Sequence, residues 1–469
     1  MATMVDKHEV DLTKGPIFSK LIKFALPFVF TNILTLLFHA TDIATLRFMV
    51  GGKAVAAVSS TASLTSLFIN FFVGFSSGAS VVLSKCVGSN NVDKARRIVG
   101  TAMCFSIIAG IFIMIVAWFG AETFLRGTDC PENLLPQASK YLRVYLLGAP
   151  ITLFYNLGAG MLRAVGDSLR PMIYLMISGV ANIVLNIFFI AVFNLTVEGV
   201  AIGTISSQLI SSVLIFIAMK RSKGFSRFEF KFLKIHGKEF LEIIAIGLPT
   251  AIQSSLFSIS NVLIQSSINT FGELAIEGDG GAKQIDAFIY TVGNAIAHAS
   301  MSFVSQNLGA RNMERVKKTI NTAILCTIVI QLAFGLICFL WAQPLLSLFV
   351  ETEGAFIYGK ERLLIMSLFY FMSGVMDVFQ LSMRAMGKST TSMILAIFFV
   401  CIFRIIWLNS FFLLKPVFLM IFISYPVSWA LNILAHILLI LPLVKKLTKQ
   451  FSKQRQGEKT TQEISQTNL

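Results

Sequence analysis

Apolar stretches of about twenty residues, the length that crosses a bilayer as a helix, recur along almost the whole chain between short polar connections. The first runs from Ile17 to about Asp42, and others centre near Phe71, Ile111, Tyr155, Leu185, Leu209, Leu256, Ala295, Ile330, Tyr370, Phe398 and Tyr425. These runs are apolar all round, without the polar face of a soluble helix or the alternation of a half-buried strand, so each predicts a membrane-spanning helix. The count is about twelve. The stretch "DLTKGPIF" offers a polar cap with Pro16 at the first helical position, and Lys20 and Lys23 anchor the entry.

Composition excludes a soluble protein. Of 469 residues, 55% are hydrophobic and 13% charged, with 43 Phe and 18 Met, whereas an ordinary soluble domain is roughly 25% charged. The mean hydropathy of +0.76 requires the bilayer as solvent. The first apolar run is too long for a cleavable signal and lacks a small-residue cleavage pattern, so it is expected to remain as a span. The six cysteines and five histidines show no metal-ligand or haem spacing, and no H-E-x-x-H or P-loop occurs. An enzyme, a bound metal and a cofactor are therefore not expected, and nothing resembles the repeated filter loop of a channel.

Lys and Arg total 39 against 24 Asp and Glu, a net charge of +15, but the excess lies in alternate connections. Residues 7–23, 85–97, 163–170, 220–238, 311–318, 384–388 and 445 onward are basic. The intervening ones carry Glu122, Asp129, Glu132, Glu198, Glu273, Glu277, Asp279, Glu351 and Glu353. Basic connections stay in the cytoplasm, which puts both termini there, in a multi-pass protein of the cell membrane. The same distribution argues against nucleic acid. Residues 221–240, where Lys and Arg interleave with phenylalanines, are expected to lie along anionic headgroups. The polar tail beyond Val444 is expected to be disordered.

Two residues of the first span invite chemistry. A carboxylate at membrane depth costs at least ~2.5 kcal/mol and by default faces a cavity or a partner, which marks Asp42. Pro27 removes a backbone donor and can bend the helix to open such a cavity.

The chain also repeats itself. "VGSNNVDKARRIVGTA" from Val87 returns as "LGARNMERVKKTINTA" from Leu308, and "MLRAVGDS" from Met161 returns as "SMRAMGKS" from Ser382, both displaced by 221 positions. "ALP" ending at Pro27 returns as "GLP" ending at Pro249, one residue out of step. Six spans per half is an even number, so both halves enter from the same face, related by a pseudo-two-fold axis along the membrane normal. The expectation is an all-α polytopic protein with a six-helix lobe over residues 1–220, a basic linker at 221–239, a second six-helix lobe over 240–444 and a cytoplasmic tail at 445–469.

From Leu12 to about Val444 the chain resembles the multidrug and toxic compound extrusion (MATE) family of the MOP flippase superfamily. The residues that carry the likeness are "LTKGPIF", "KFALP", Asp42 followed by "VGGKAVAAVSS", "GFSSGASVVLSKCVGSNN", "MLRAVGDS", "GVAIGTISSQ", "GLPTAIQSSLFS" and "MDVFQLSMRAMGKS". The resemblance implies a monomeric antiporter that exports organic cations or amphipathic drugs from among membrane lipids, in exchange for protons or sodium, by alternating access. It places the coupling ion at Asp42, Asn182, Asn186 and Thr204. A single carboxylate there favours protons, because hard cations prefer charged oxygens, although the neutral oxygens leave sodium open. Arg47 stands where the family commonly has glycine and is near enough to bias Asp42. Asp377 either lines a second-lobe cavity or is an interfacial or paired acid. The competing reading is a lipid-linked precursor flippase of the same superfamily, with Arg47 and Arg404 meeting a pyrophosphate.

Overall fold

The computed structural model describes residues 9–128 and 130–467, with side chains to residue 454; Lys7 and Asp129, counted above among the basic and acidic connections, lie outside them. Among the described residues there is no strand. The first half comprises α1 (Ile17–Met49), α2 (Gly52–Ser60), α3 (Ala62–Gly88), α4 (Val92–Arg126), α5 (Leu135–Leu147), α6 (Ala149–Ala164), α7 (Leu169–Phe193) and α8 (Val197–Arg221). The second comprises α9 (Gly237–Asn269), α10 (Glu273–Gly309), α11 (Met313–Leu340), α12 (Ala342–Leu346), α13 (Glu353–Ala385), α14 (Ser389–Ala396), α15 (Phe403–Asn409), α16 (Phe411–Leu414) and α17 (Phe418–Thr467), with a π-helical segment, Ile397–Ile402, between α14 and α15. Among the described residues ten spans are long and apolar enough to cross a membrane, and the bent pair α5–α6 makes an eleventh. The twelfth long segment is α10, whose first turns hold Glu273, Glu277 and Asp279.

Backbone detail reproduces the sequence repeat. Asn91 and Asn312 cap α4 and α11 by accepting from the amides of Lys94 and Arg315, which satisfies one orphan donor of each helix. Asn90 and Arg311 both have φ near 54°, and the positive-φ pairs Gly51 with Gly272 and Gly166 with Gly387 keep the same spacing of 221. Glycine enters that region without the steric cost other residues meet, so the two lobes turn at equivalent places.

Three expectations change. The first span does not stop at Asp42: α1 continues to Met49, because the apolar pattern resumes after the acid and the turn at Gly51 comes later. The segment after α8 is docked rather than spread on headgroups. Phe225 and Phe228 are buried in the main hydrophobic core, Phe228 against Phe216 of α8, while Glu229 pairs with Arg96, and Glu239 at the start of α9 pairs with Arg97. Beyond Val444 the chain remains helical to Thr467, since extending an existing helix avoids the unfavourable nucleation step.

The lobes meet along their basic ends. α3 crosses α9 so closely that a Cβ at Gly74 would strike the backbone of Ala251 and one at Gly78 that of Ile243. At the end of α3 a Cβ on Gly88 would land on the carbonyl of Gln306, and its repeat mate Gly309 faces the carbonyl of Lys85 in the same way. Phe24 and Phe28 of α1 complete this seal against Phe303 and His298. Leu12 is fully buried across it, its amide bonded to the Gln306 side chain at 3.1 Å and its carbonyl to Arg315 at 3.3 Å. On the acidic side α3 and α10 are more exposed, so the cleft between the lobes opens there.

Candidate functional site

The four polar residues expected in the first lobe come together. Ser178, Asn182 and Asn186 recur every fourth position of α7 and share one face, all buried. That face meets α8 where Gly203 has no side chain, and a Cβ there would overlap the Asn186 carbonyl oxygen. Ser178 donates to the Ser207 carbonyl at 2.5 Å and holds the two helices in register. Asn186 Nδ2 donates to Asp42 Oδ1 at 2.6 Å, and Asn182 Nδ2 donates to Thr204 Oγ1 at 3.3 Å. Thr204 in turn donates to the Val200 carbonyl at 2.9 Å.

With those donors committed, the buried carbonyl oxygens of Asn182 and Asn186 are left without partners. Unmatched buried acceptors cost roughly 1–3 kcal/mol each. The cluster is thus a carboxylate among surplus acceptors, an arrangement a cation completes. Asp42, Asn182, Asn186 and Thr204 have the oxygen donor set to hold a proton or a sodium ion. Arg47 does not oppose this: its side chain is exposed on the last turn of α1, and among the described residues it forms no ion pair with Asp42.

Pro27 and Pro249 lie inside the continuous helices α1 and α9. Thr31 Oγ1 bonds the Pro27 carbonyl at 2.7 Å, and Pro249 is buried where α9 faces the seal. Arg163 and Arg384 are not loop anchors. The guanidinium of Arg163 sits 4.9 Å from the Phe28 ring centre, and Arg384, buried in α13, donates to Gln253 at 2.8 Å. Each chain turn falls three residues later, at Gly166 and Gly387.

A second site lies on the other lobe, a cavity of about 430 Å³ bounded by α9, α10, α13, the π-helical segment, α15 and α17, with Asn70 of α3 at its edge. Asp377 lines it, and its Oδ2 has no partner. In the sequence Asp279 reads as part of an acidic connection, and Arg362 carries no motif. In the structure Arg362 bridges two buried acids, bonding Asp279 at 2.6 Å and Asp286 at 2.8 Å. Charged residues within apolar runs were the available signal; their pairing depends on how α10 packs on α13. Among the described residues no group of His, Cys, Asp and Glu is arranged to hold a metal ion.

The MatE family model matches residues 27–188 and 249–408, once in each repeat and starting each time at the helix proline. A probable multidrug resistance protein, YoeA of Bacillus subtilis, is 25% identical over 394 residues, covering 82% of this chain and 85% of its own. A FAD transporter of Shewanella oneidensis is 23% identical over 84% of this chain and 87% of its own. In fold, the chain superposes on an outward-facing MATE-family transporter of the MOP superfamily with a TM-score of 0.86 at 22% identity, over 96% of this chain and 99% of the other.

Proposed function

This chain belongs to the MatE family of membrane transporters, and on that premise we propose that it is a monomeric antiporter of the cell membrane, exporting cationic or amphipathic small molecules in exchange for protons. Family membership makes it a multi-pass transporter rather than an enzyme, but not one of a particular cargo, since its relatives' names include both a multidrug resistance protein and a FAD transporter. Multidrug cargo is favoured here by the relatives named for it.

The observation that carries the coupling reading is the acceptor-rich cluster in which Asn186 fixes Asp42 at 2.6 Å. A carboxylate held among surplus acceptors is completed by a proton, and such a group at membrane depth exchanges protons when its access changes. In the outward-open arrangement Asp42 takes a proton from outside; neutralising the lobe weakens its hold on a cationic cargo, which leaves. Rocking of the lobes about the docked linker, residues 221–239, then breaks the seal between α3 and α10 and exposes the acid to the cytoplasm. One carboxylate with two amides and a hydroxyl also has the oxygens for sodium, and the experiment separates the two. Reconstituted protein is expected to export under a pH gradient in sodium-free buffer; export that needs sodium at clamped pH reverses the ion.

Orientation is tested with single cysteines, placed at exposed positions because Cys86 and Cys130 are both buried. In a variant lacking the native six, Glu132→Cys is expected to react with an impermeant thiol reagent in intact cells, and Lys318→Cys only after the membrane is opened. The reverse pattern would put both termini outside.

A further inference from the structure

Two arginines sit in the wall of the second-lobe cavity, and they are treated differently. Arg362 is neutralised twice over by Asp279 and Asp286. Arg404 is as deeply placed, 4% exposed, yet among the described residues no carboxylate pairs with it. Its Nε donates to Ser428 Oγ at 3.0 Å, and its guanidinium lies 3.9 Å from the ring centre of Tyr425 and 5.8 Å from that of Trp429. Its Nη2 has no partner. Stacking on aromatic faces offsets part of the desolvation of a buried cation, but it leaves the guanidinium edge unsatisfied, and an uncompensated buried charge is strongly destabilising.

The surroundings say what would satisfy it. Arg404 follows the π-helical turn Ile397–Ile402, a distortion frequent at functional sites. Around it Tyr370 and Tyr425 each lie within 6 Å of Trp429, ring centre to ring centre, at 5.5 and 5.7 Å. The charged residues of the lining are Lys283, Arg362 and Arg404 with Asp286 and Asp377; Arg362 is already taken by Asp279 and Asp286, which leaves Arg404 as the deeply buried cation of the lining without a carboxylate. A volume of about 430 Å³ falls in the range of small-molecule sites.

We infer that the second-lobe cavity is a subsite for aromatic carboxylates, the ring held among Tyr370, Tyr425 and Trp429 and the carboxylate on the free edge of Arg404. This rests on the reading of the protein as a small-molecule transporter and extends its cargo to amphipathic anions. Charge-assisted bonds from guanidinium to carboxylate are short, directional and about twice as strong as neutral ones, so an acid is preferred over its uncharged amide.

The test is equilibrium binding of 2-naphthoate and of 2-naphthamide to the full-length protein in detergent. The parent is expected to bind naphthoate at least tenfold more tightly than naphthamide, and Arg404→Gln to remove that preference. Arg404→Lys, which keeps the charge, is expected to retain a preference for the acid. Equal affinities in the parent overturn the proposal without any variant, and so does an Arg404→Gln protein that still prefers the acid. Should the Gln variant not fold, competition in the parent between benzoate and benzamide decides it, benzoate alone displacing bound naphthoate. Gradient-driven export of an organic cation is read separately. If it proceeds while naphthoate does not bind, the anion subsite fails and the antiport stands; if naphthoate binds but no gradient drives export, antiport fails alone.

Discussion

Asp42→Asn is expected to abolish gradient-driven export while leaving the protein folded and in the membrane. The substitution keeps the shape of the side chain, and an amide oxygen at position 42 can still accept from Asn186, so the hydrogen bond of 2.6 Å is retained in neutral form. What is lost is the ability to gain and release a cation. Exchanging an acceptor oxygen for an amide group in a cluster already rich in acceptors is expected to alter stability by no more than about 1 kcal/mol, the usual net worth of one hydrogen bond. Transport loses its driving force altogether. Proteoliposomes loaded with a fluorescent cation and given a pH gradient report the rate, and thermal unfolding in detergent reports the fold. Export by the variant at the parent rate would falsify the assignment of Asp42 as the coupling acid.

Gly88→Val is expected to shift the protein away from the arrangement in which the basic ends of α3 and α10 are sealed together. The side chain would enter the space where α3 meets the carbonyl of Gln306, a backbone atom that cannot rotate aside. Overpacking of this kind costs about 1–3 kcal/mol. That cost falls on the sealed state alone, because the contact exists only while the basic ends of α3 and α10 are together, so the balance moves by roughly 5- to 150-fold. Cys86, two positions away and 3% exposed, supplies the readout. With Cys86 as the only cysteine, its labelling by a membrane-permeant maleimide is expected to accelerate in the Gly88→Val protein while export slows. Unchanged labelling would mean that the crossing of the two helices does not hold the seal.

Both experiments rest on features that differ in how visible they are from the chain alone. Asp42 stands out in an apolar run because charge at membrane depth is expensive. The seal does not. Gly88 and Gly309 are recognisable as a repeated pair, but that each faces the other helix's backbone follows from the crossing of α3 with α10. The docking of the linker is hidden from the sequence for a related reason. Its phenylalanines and basic residues suit an interface equally well, and it is the burial of Phe225 and Phe228 together with the neighbouring Arg96 and Arg97 of α4, which take Glu229 and Glu239, that draws it onto the protein.

The sequence by itself determined the class of protein, the number of long spans, the internal repeat and the one acid of the first span, because these depend on transfer free energies, spacing and backbone preference, which are local to each segment. Tertiary structure alone decided which end of the cleft is closed and where the hydrogen bonds of Asn182 and Asn186 go. It also decided that Arg362 is paired with two acids while Arg404 is paired with none. Those outcomes turn on contacts between residues far apart in the chain, whose geometry is set by the packing of whole helices.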